Sequence, residues 1–347
     1  MKKYVTCNCD PILFHYSLLL NNFNERGISL ANKKVTLSTK NHRLMVHETV
    51  TSYLFLLPFL LFFVGFVLYP MVLCLYTSFF ESTMGKGEDV FVGLQNYRTM
   101  LWEKHVASDG TVTYGDPVFW KALKNTMVIV LVSVPVTCIF SLWVASAISK
   151  MPVAATSAFR CIFYLPVVTG SVAVTVVWKW MYNNYYGIFN YVLGAEGLDV
   201  IEKNINWLGD EKYALWCIIL ILLTTSVGQP IVLYVSALDN VDKSLVEAAE
   251  VDGASQMQAF WKIKWPLMMP TTLYILVITT INSFQCFALI QLLTSGGPNN
   301  STMTIMYYIY YNAFKLYDYG YGNAMGVVLA IIIAILSAIQ FKAGQEK

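Results

Sequence analysis

The stretch Glu247-Ala248-Ala249-Glu250-Val251-Asp252-Gly253-Ala254-Ser255-Gln256-Met257-Gln258-Ala259-Phe260-Trp261-Lys262-Ile263-Lys264-Trp265-Pro266-Leu267-Met268-Met269-Pro270 is the longest polar interruption in the apolar second half of the chain. It carries two sets of helix signals around a stop. Asp242, or Ser244 with Glu247 three residues on, can cap a first short helix. Asp252-Gly253 ends that helix, because glycine reaches the left-handed conformation without steric cost. Ser255 and Gln258 repeat the capping-box spacing and open a second helix. Pro266 and Pro270 are expected to mark where the chain leaves it for the next apolar run. The reading is a helix-turn-helix at a membrane surface, with small Ala248, Ala249 and Ala254 allowing close approach by another protein.

The same pattern, E-A-A-x-x-D-G-A followed by an aromatic residue and a late proline, resembles the EAA loop of ABC-importer permeases. Glu247, Ala248, Ala249, Asp252, Gly253, Ala254, Phe260 and Pro266 fall at its positions. In that family the loop is a coupling helix that docks into a groove on a cytoplasmic ATPase. The resemblance therefore implies that Glu247, Ala248, Ala249, Asp252, Gly253, Ala254 and Phe260 form the ATPase-coupling surface, with Ile263 as a further packing residue.

With 56% hydrophobic and 13% charged residues in 347, the composition is not that of a soluble globular protein. A formal charge of +2 argues against a nucleic-acid partner. Cys74, Cys138, Cys161, Cys217 and Cys286 are scattered singly through apolar runs, where thiols behave as small hydrophobes. Cys7 and Cys9 form a lone Cys-x-Cys, and the four histidines lie outside the apolar runs, so neither a metal site nor a cofactor is expected.

Residues 1–48 are polar and aperiodic and read as a disordered cytoplasmic tail, without the cleavage site of a signal peptide. Residues 49–347 read as the transmembrane domain. Six runs near 51–79, 124–148, 158–182, 213–238, 271–294 and 323–342 approach or exceed the ~20 residues that cross a bilayer core. With both termini inside, 14 of the 23 lysines and arginines fall in cytoplasmic segments. That puts the Glu247 loop inside. The loop is nevertheless acidic, with five carboxylates against three lysines over 239–270, which suits a protein partner better than anionic lipid.

Two outer segments, 80–123 and 295–322, carry Val92-Gly93-Leu94-Gln95-Asn96-Tyr97 and Ser295-Gly296-Gly297-Pro298. Together these narrow the resemblance to the sugar-permease branch, the maltose and glycerol-phosphate type, over about residues 49–347. The resemblance implies a cytoplasmic ATP-binding-cassette ATPase dimer, a second permease subunit completing a heterodimer, and an extracytoplasmic sugar-binding protein as partners.

The apolar runs hold almost no ionisable side chains; Lys179, between Trp178 and Trp180, sits near the outer end of the third. A proton- or voltage-driven carrier needs such groups inside the membrane, so that class is disfavoured. Neutral polar residues do recur at helical spacing. Thr279, Asn282, Ser283 and Cys286 fall at i, i+3, i+4 and i+7, and Thr225, Ser226 and Gln229 form a second set ending in Gln229-Pro230. Counted from Thr271 at ~1.5 Å per residue, the first set lies roughly 18 Å into its span. Such groups either hydrogen-bond a hydroxylated, uncharged substrate or glue helices together. In maltose-type relatives the sugar site lies on the spans flanking the coupling loop, which favours Ser226, Gln229, Thr279, Asn282, Ser283 and Cys286 as substrate-binding. No GxxxxGK[ST] and no nucleophile–base pair is present, so the chain is not expected to be an enzyme by itself.

The fold expected is an all-α membrane protein with six transmembrane helices of the ABC importer type I permease fold and a cytoplasmic EAA coupling helix. The function expected is the permease subunit of a carbohydrate importer in the cell membrane. Alternatives are a permease for glycerol-phosphate or another polyol, a secondary carrier, and a membrane scaffold that would tolerate any sequence at 247–253.

Overall fold

A computed structural model describes residues 40–82, 89–106, 112–193 and 205–345. The chain divides into two units, Met1–Pro70 and Met71–Lys347. Of the tail expected over 1–48, residues 1–39 lie outside the described residues; from Lys40 the chain is helical, as α1 (Lys40–Phe63). A π-turn over Val64–Leu68 follows. Phe55 and Phe66 are 82% and 76% exposed, so this helix is apolar without burying its rings in its own unit. That is the signature of a segment made for lipid or for a neighbour.

The second unit starts in α2 (Tyr69–Thr77). β1 (Phe80–Glu81) pairs antiparallel with β2 (Val90–Phe91), with the Phe80 and Phe91 rings 5.3 Å apart. After α3 (Gln95–Leu101), β3 (Lys104–Val106) pairs with β4 (Val112–Tyr114). These two short hairpins, of two and three residues per strand, are the strands among the described residues of an otherwise helical chain, as the all-α expectation has it. They fall where the sequence leaves the apolar runs and aromatic and β-branched residues can pair across strands.

α4 (Pro117–Ile148) starts seven residues before the expected span, because Asp116 caps it and Pro117 sits at its first position. α5 (Val153–Val168) and α6 (Ser171–Met181) meet at 93°, so the span expected over 158–182 is present as a bent pair. Pro166 removes the N–H that would bond the Ile162 carbonyl, and Thr169-Gly170 leaves the helix before the next one begins. α7 (Ile188–Leu193) leads to α8 (Ala214–Ser226) and α9 (Gly228–Asp239). The break at Val227 has the same cause, since Pro230 has no N–H to offer the Ser226 carbonyl.

α10 (Lys243–Val251) and α11 (Gln256–Ala259) form a short hairpin. The chain then enters a π-turn, Phe260–Lys264, and runs straight on into α12 (Trp265–Phe284). Pro266 and Pro270 therefore do not end the helix. Pro266 lies at the start of α12, and the Trp265 N–H reaches back to the Phe260 carbonyl, so the widened turn absorbs the donor that Pro266 lacks, while Pro270 sits inside the helix. Depth counted from Thr271 has no structural marker. α13 (Ala288–Leu293), α14 (Ile305–Tyr310), a π-turn over Tyr311–Lys315 and α15 (Tyr319–Gln345) complete the chain.

Five helical stretches among the described residues are long and apolar enough to cross a membrane, six if the bent α5–α6 pair counts as one span. α4 lies at the centre, packed on α8, α9, α12 and α14. One core gathers Phe119, Ile218, Phe284, Ile290 and Met325; a second joins Ala145, Ile231, Tyr234 and Ile275. Side-chain hydroxyls tie the helices: Ser133 and Ser283 lie 3.0 Å apart, and Gln340 donates to Thr280 over 2.8 Å.

α5 approaches α9 so closely that a Cβ at Gly228 would collide with the Phe163 carbonyl oxygen and lie 2.8 Å from Val167. Gly228→Ala is thus expected to destabilise the protein by ~1–3 kcal/mol despite alanine's better helix propensity. Gly326→Ala, with nothing near the added carbon, is the opposite case and is expected to be neutral or stabilising by up to about 1 kcal/mol. Denaturant titration of the two variants in detergent checks the difference.

Candidate functional site

Two places concentrate unused chemistry: the α10–α11 hairpin and a cavity at the break between α8 and α9.

In the hairpin, Asp242 rather than Ser244 is the first cap; its Oδ1 accepts the Ser244 N–H over 2.9 Å. That backbone bond holds the Asp242 carboxyl below its ordinary pKa. The far end closes as a Schellman motif. Gly253 sits at φ +80, the Ala254 N–H bonds the Ala249 carbonyl over 2.9 Å, and the Gly253 N–H bonds that of Glu250 over 3.0 Å. Ser255 and Gln258 then exchange both capping-box bonds. No residue of α10 is buried. Glu247, Ala248, Asp252 and Gly253 are exposed, while Ala249, Ala254 and Phe260 are half-buried. The hairpin also presents Leu245, Val251, Met257 and Trp261 to the surroundings, with Val251 88% exposed. Apolar side chains on a rigid, capped projection suit a protein partner.

A cavity of about 140 Å³ is lined by α5, α8, α9 and α12, with Val167, Ser226, Gln229, Thr279 and Asn282 among its walls and no charged side chain. The side chains of Ser226, Gln229, Thr279 and Asn282 make no hydrogen bond among the described residues. Thr225 also faces it, but its hydroxyl donates to the carbonyls of Ile221 and Leu222 on its own helix.

The structure thus brings Ser226, Gln229, Thr279 and Asn282 together, from two stretches about fifty residues apart. It does not bring Ser283 and Cys286 with them. Ser283 is buried against Ser133 and serves as interhelical glue. Cys286 is buried too, and its carbonyl accepts the Thr304 hydroxyl over 3.0 Å. The physical reason is that α12 stops at Phe284, so extending helical spacing to Cys286 fails. Gln285, missed by the sequence reading, caps that helix end and is exposed one turn beyond Asn282. Its signal was the i, i+3 step from Asn282. Val167 was missed because an apolar residue on a long apolar run carries no signal of facing a cavity.

A buried carboxylate also emerged at the other end of α4. Asp116 Oδ1 caps α4 by accepting the N–H groups of Val118 and Phe119 at 2.8 and 3.3 Å. Its Oδ2 accepts the hydroxyls of Tyr308 and Tyr321 at 2.6 and 2.8 Å. Burial, then the neighbouring carboxylate, pushes the Tyr308 hydroxyl pKa upward, so it remains a donor. Asp116 thereby ties α4 to α14 and α15.

Residues 117–341 match the family described as binding-protein-dependent transport system inner membrane component. The probable ABC transporter permease protein YesP of Bacillus subtilis (strain 168) is 31% identical over 306 residues, covering 87% of this chain and 93% of that protein. The lactose transport system permease protein LacF of Rhizobium radiobacter is 31% identical over 314 residues, covering 89% and 99%. The fold is similar to a chain in the crystal structure of a bacterial ABC transporter involved in import of the acidic polysaccharide alginate. The TM-score is 0.72 at 21% identity, over 88% of this chain and 99% of that one. A second structure, of the alginate transporter with an alginate pentasaccharide-bound periplasmic protein, gives a TM-score of 0.70 over 85% and 94%.

Proposed function

The chain belongs to the family of binding-protein-dependent transport system inner membrane components, and on that premise we propose that it is the permease subunit of an ABC importer for an uncharged carbohydrate. It is a multi-pass membrane protein. In this reading residues 49–347 are the transmembrane domain and both termini are cytoplasmic. A second permease subunit completes the pore, and an extracytoplasmic binding protein delivers the sugar. ATP is hydrolysed by a separate cytoplasmic ATPase dimer.

The observation that carries the substrate reading is the set of unpaired side chains at the cavity. Hydroxyl and amide groups inside a membrane cost several kcal/mol each if nothing bonds them. Ser226, Gln229, Thr279 and Asn282 have no protein partner here, whereas Ser283 and Thr280 do. Groups left open at a cavity wall are groups reserved for a visitor. A sugar offers matching hydroxyls. A phosphate or uronate would need a cation that this wall does not supply, which favours neutral sugars over glycerol-phosphate.

Asn282→Leu tests this. Losing two or three hydrogen bonds of about 1 kcal/mol each predicts uptake of the cognate neutral oligosaccharide weakened ten- to a hundred-fold at limiting concentration. ATP turnover stimulated by the loaded binding protein should survive. If uptake and ATP turnover fell together with the amount of assembled complex, Asn282 would be glue and the cavity would lose its role.

Coupling belongs to the hairpin. Glu247, Ala248, Ala249, Asp252, Gly253, Ala254 and Phe260 face or underlie the ATPase groove, and nucleotide closure shifts the population between two arrangements of the spans.

A further inference from the structure

α5 is weakly embedded. None of its side chains is buried, whereas thirteen of α4's are. What holds it is a row of its own residues packed against α9. Arg160, Phe163 and Val167 stand at i, i+3 and i+7, one stripe of a helix. At the lower end of that stripe, Arg160 Nη2 lies 2.7 Å from Asp239 Oδ2, on the last residue of α9. At the upper end, the Phe163 carbonyl and Val167 fill the space that a side chain at Gly228 would need. Val167 also lines the cavity. Just beyond it the chain bends through 93° at Thr169-Gly170, where Gly170 has open space around it.

The lower end of the same stripe sits at the hairpin. Asp239 lies three residues before Asp242, the cap of α10. On the hairpin's other flank, Lys150 Nζ donates to Gln256 Oε1 over 3.1 Å, at the first residue of α11. The two cations of the α4–α5 corner therefore grip both flanks of the segment 240–256. The Arg160–Asp239 pair is 31% and 55% exposed, and a pair so wet adds little to stability. Its value is directional. Arg160 Nη2 bonds Asp239, and Arg160 Nε is buried without a hydrogen-bond partner, so Asp239 is the one side chain that the guanidinium bonds among the described residues.

We propose that Arg160 and Asp239 are positioning residues that carry displacement of the coupling hairpin into the cavity wall; this rests on the coupling role given to the hairpin above. Pinned together at the ion pair and at Gly228, α5 and α9 move as one body about the Thr169-Gly170 bend. Val167 moves with them, and the cavity opens or closes against α12.

The test uses the complete importer, purified with its ATPase and second permease in lipid nanodiscs. Hydrogen–deuterium exchange is read before and after adding ATP with vanadate. In the unaltered protein, exchange is expected to change in both 243–251 and 165–174. In Arg160→Glu the response at 243–251 persists, while that at 165–174 falls about tenfold, the scale of a typical coupling energy. Combining Arg160→Glu with Asp239→Arg restores it, and Arg160→Lys retains most of it. A response at 165–174 that is absent from the unaltered protein, survives Arg160→Glu, or is lost without rescue by the swapped pair overturns the proposal. No response at 243–251 in the unaltered protein would remove the coupling role itself, and this relay with it.

Discussion

Glu247→Ala combined with Gly253→Val is expected to lower uptake on the order of a hundredfold while leaving the protein in the membrane at its normal level. Two features of the hairpin make the effect specific. Glu247 is exposed and no residue of α10 is buried, so trimming its carboxylate removes nothing from the core. Gly253 holds φ +80 in open space, so valine there meets no neighbour but strains the backbone by roughly 1–2 kcal/mol. Relief of that strain re-aims α11 against α10 and breaks the Ala254–Ala249 and Gly253–Glu250 bonds that close the turn. A docking surface that is both discharged and re-aimed should lower transport on the order of a hundredfold, the upper range of measured coupling factors. Uptake, ATP turnover and membrane content of the double variant are the three measurements. Unchanged uptake would remove the hairpin from the coupling role.

The largest loss of stability is expected from Asp116→Ala. The carboxylate accepts four hydrogen bonds at 9% exposure and is held without a cation. Alanine removes a helix cap worth about 1 kcal/mol and two charge-assisted bonds worth at least about 1.5 each, for roughly 3–5 kcal/mol in all. It also strands the Tyr308 and Tyr321 hydroxyls between α4, α14 and α15. Asp116→Asn keeps the shape and one acceptor and should cost about half as much. A cycle with Tyr308→Phe, followed by denaturant unfolding in detergent, separates the pair from the cap. A coupling energy under about 0.5 kcal/mol would mean that the tyrosine contact is incidental.

The parts of this protein that could be read from sequence are those set within a few residues of chain. The caps at Asp242, Ser255 and Gln258 and the left-handed turn at Gly253 depend only on neighbours up to five positions away, and all appear as expected. Apolar runs long enough to cross a membrane are likewise local, and all six recur in the structure, the third as a bent pair, although the second and fifth begin seven and fifteen residues before the expected 124 and 271. Proline was the point where local reasoning failed. Pro166 and Pro230 accompany a bend and a break, while Pro266 and Pro270 sit inside a continuing helix. A proline deletes a donor and crowds the carbonyl four residues back, and whether the helix breaks or a π-turn absorbs this depends on what packs beside it. The polar residues divide in the same way. Sequence spacing put Thr279, Asn282, Ser283 and Cys286 on one stripe, but only the assembled helices gave Ser283 its partner 150 residues away and left Asn282 without one. Asp116 falls in the outer segment 80–123, and nothing in the sequence sets it against Tyr308 and Tyr321, 192 and 205 residues along the chain. Inside an apolar span a hydroxyl or an amide has no water to fall back on, so its role is decided by whichever distant side chain or cavity the packing sets against it.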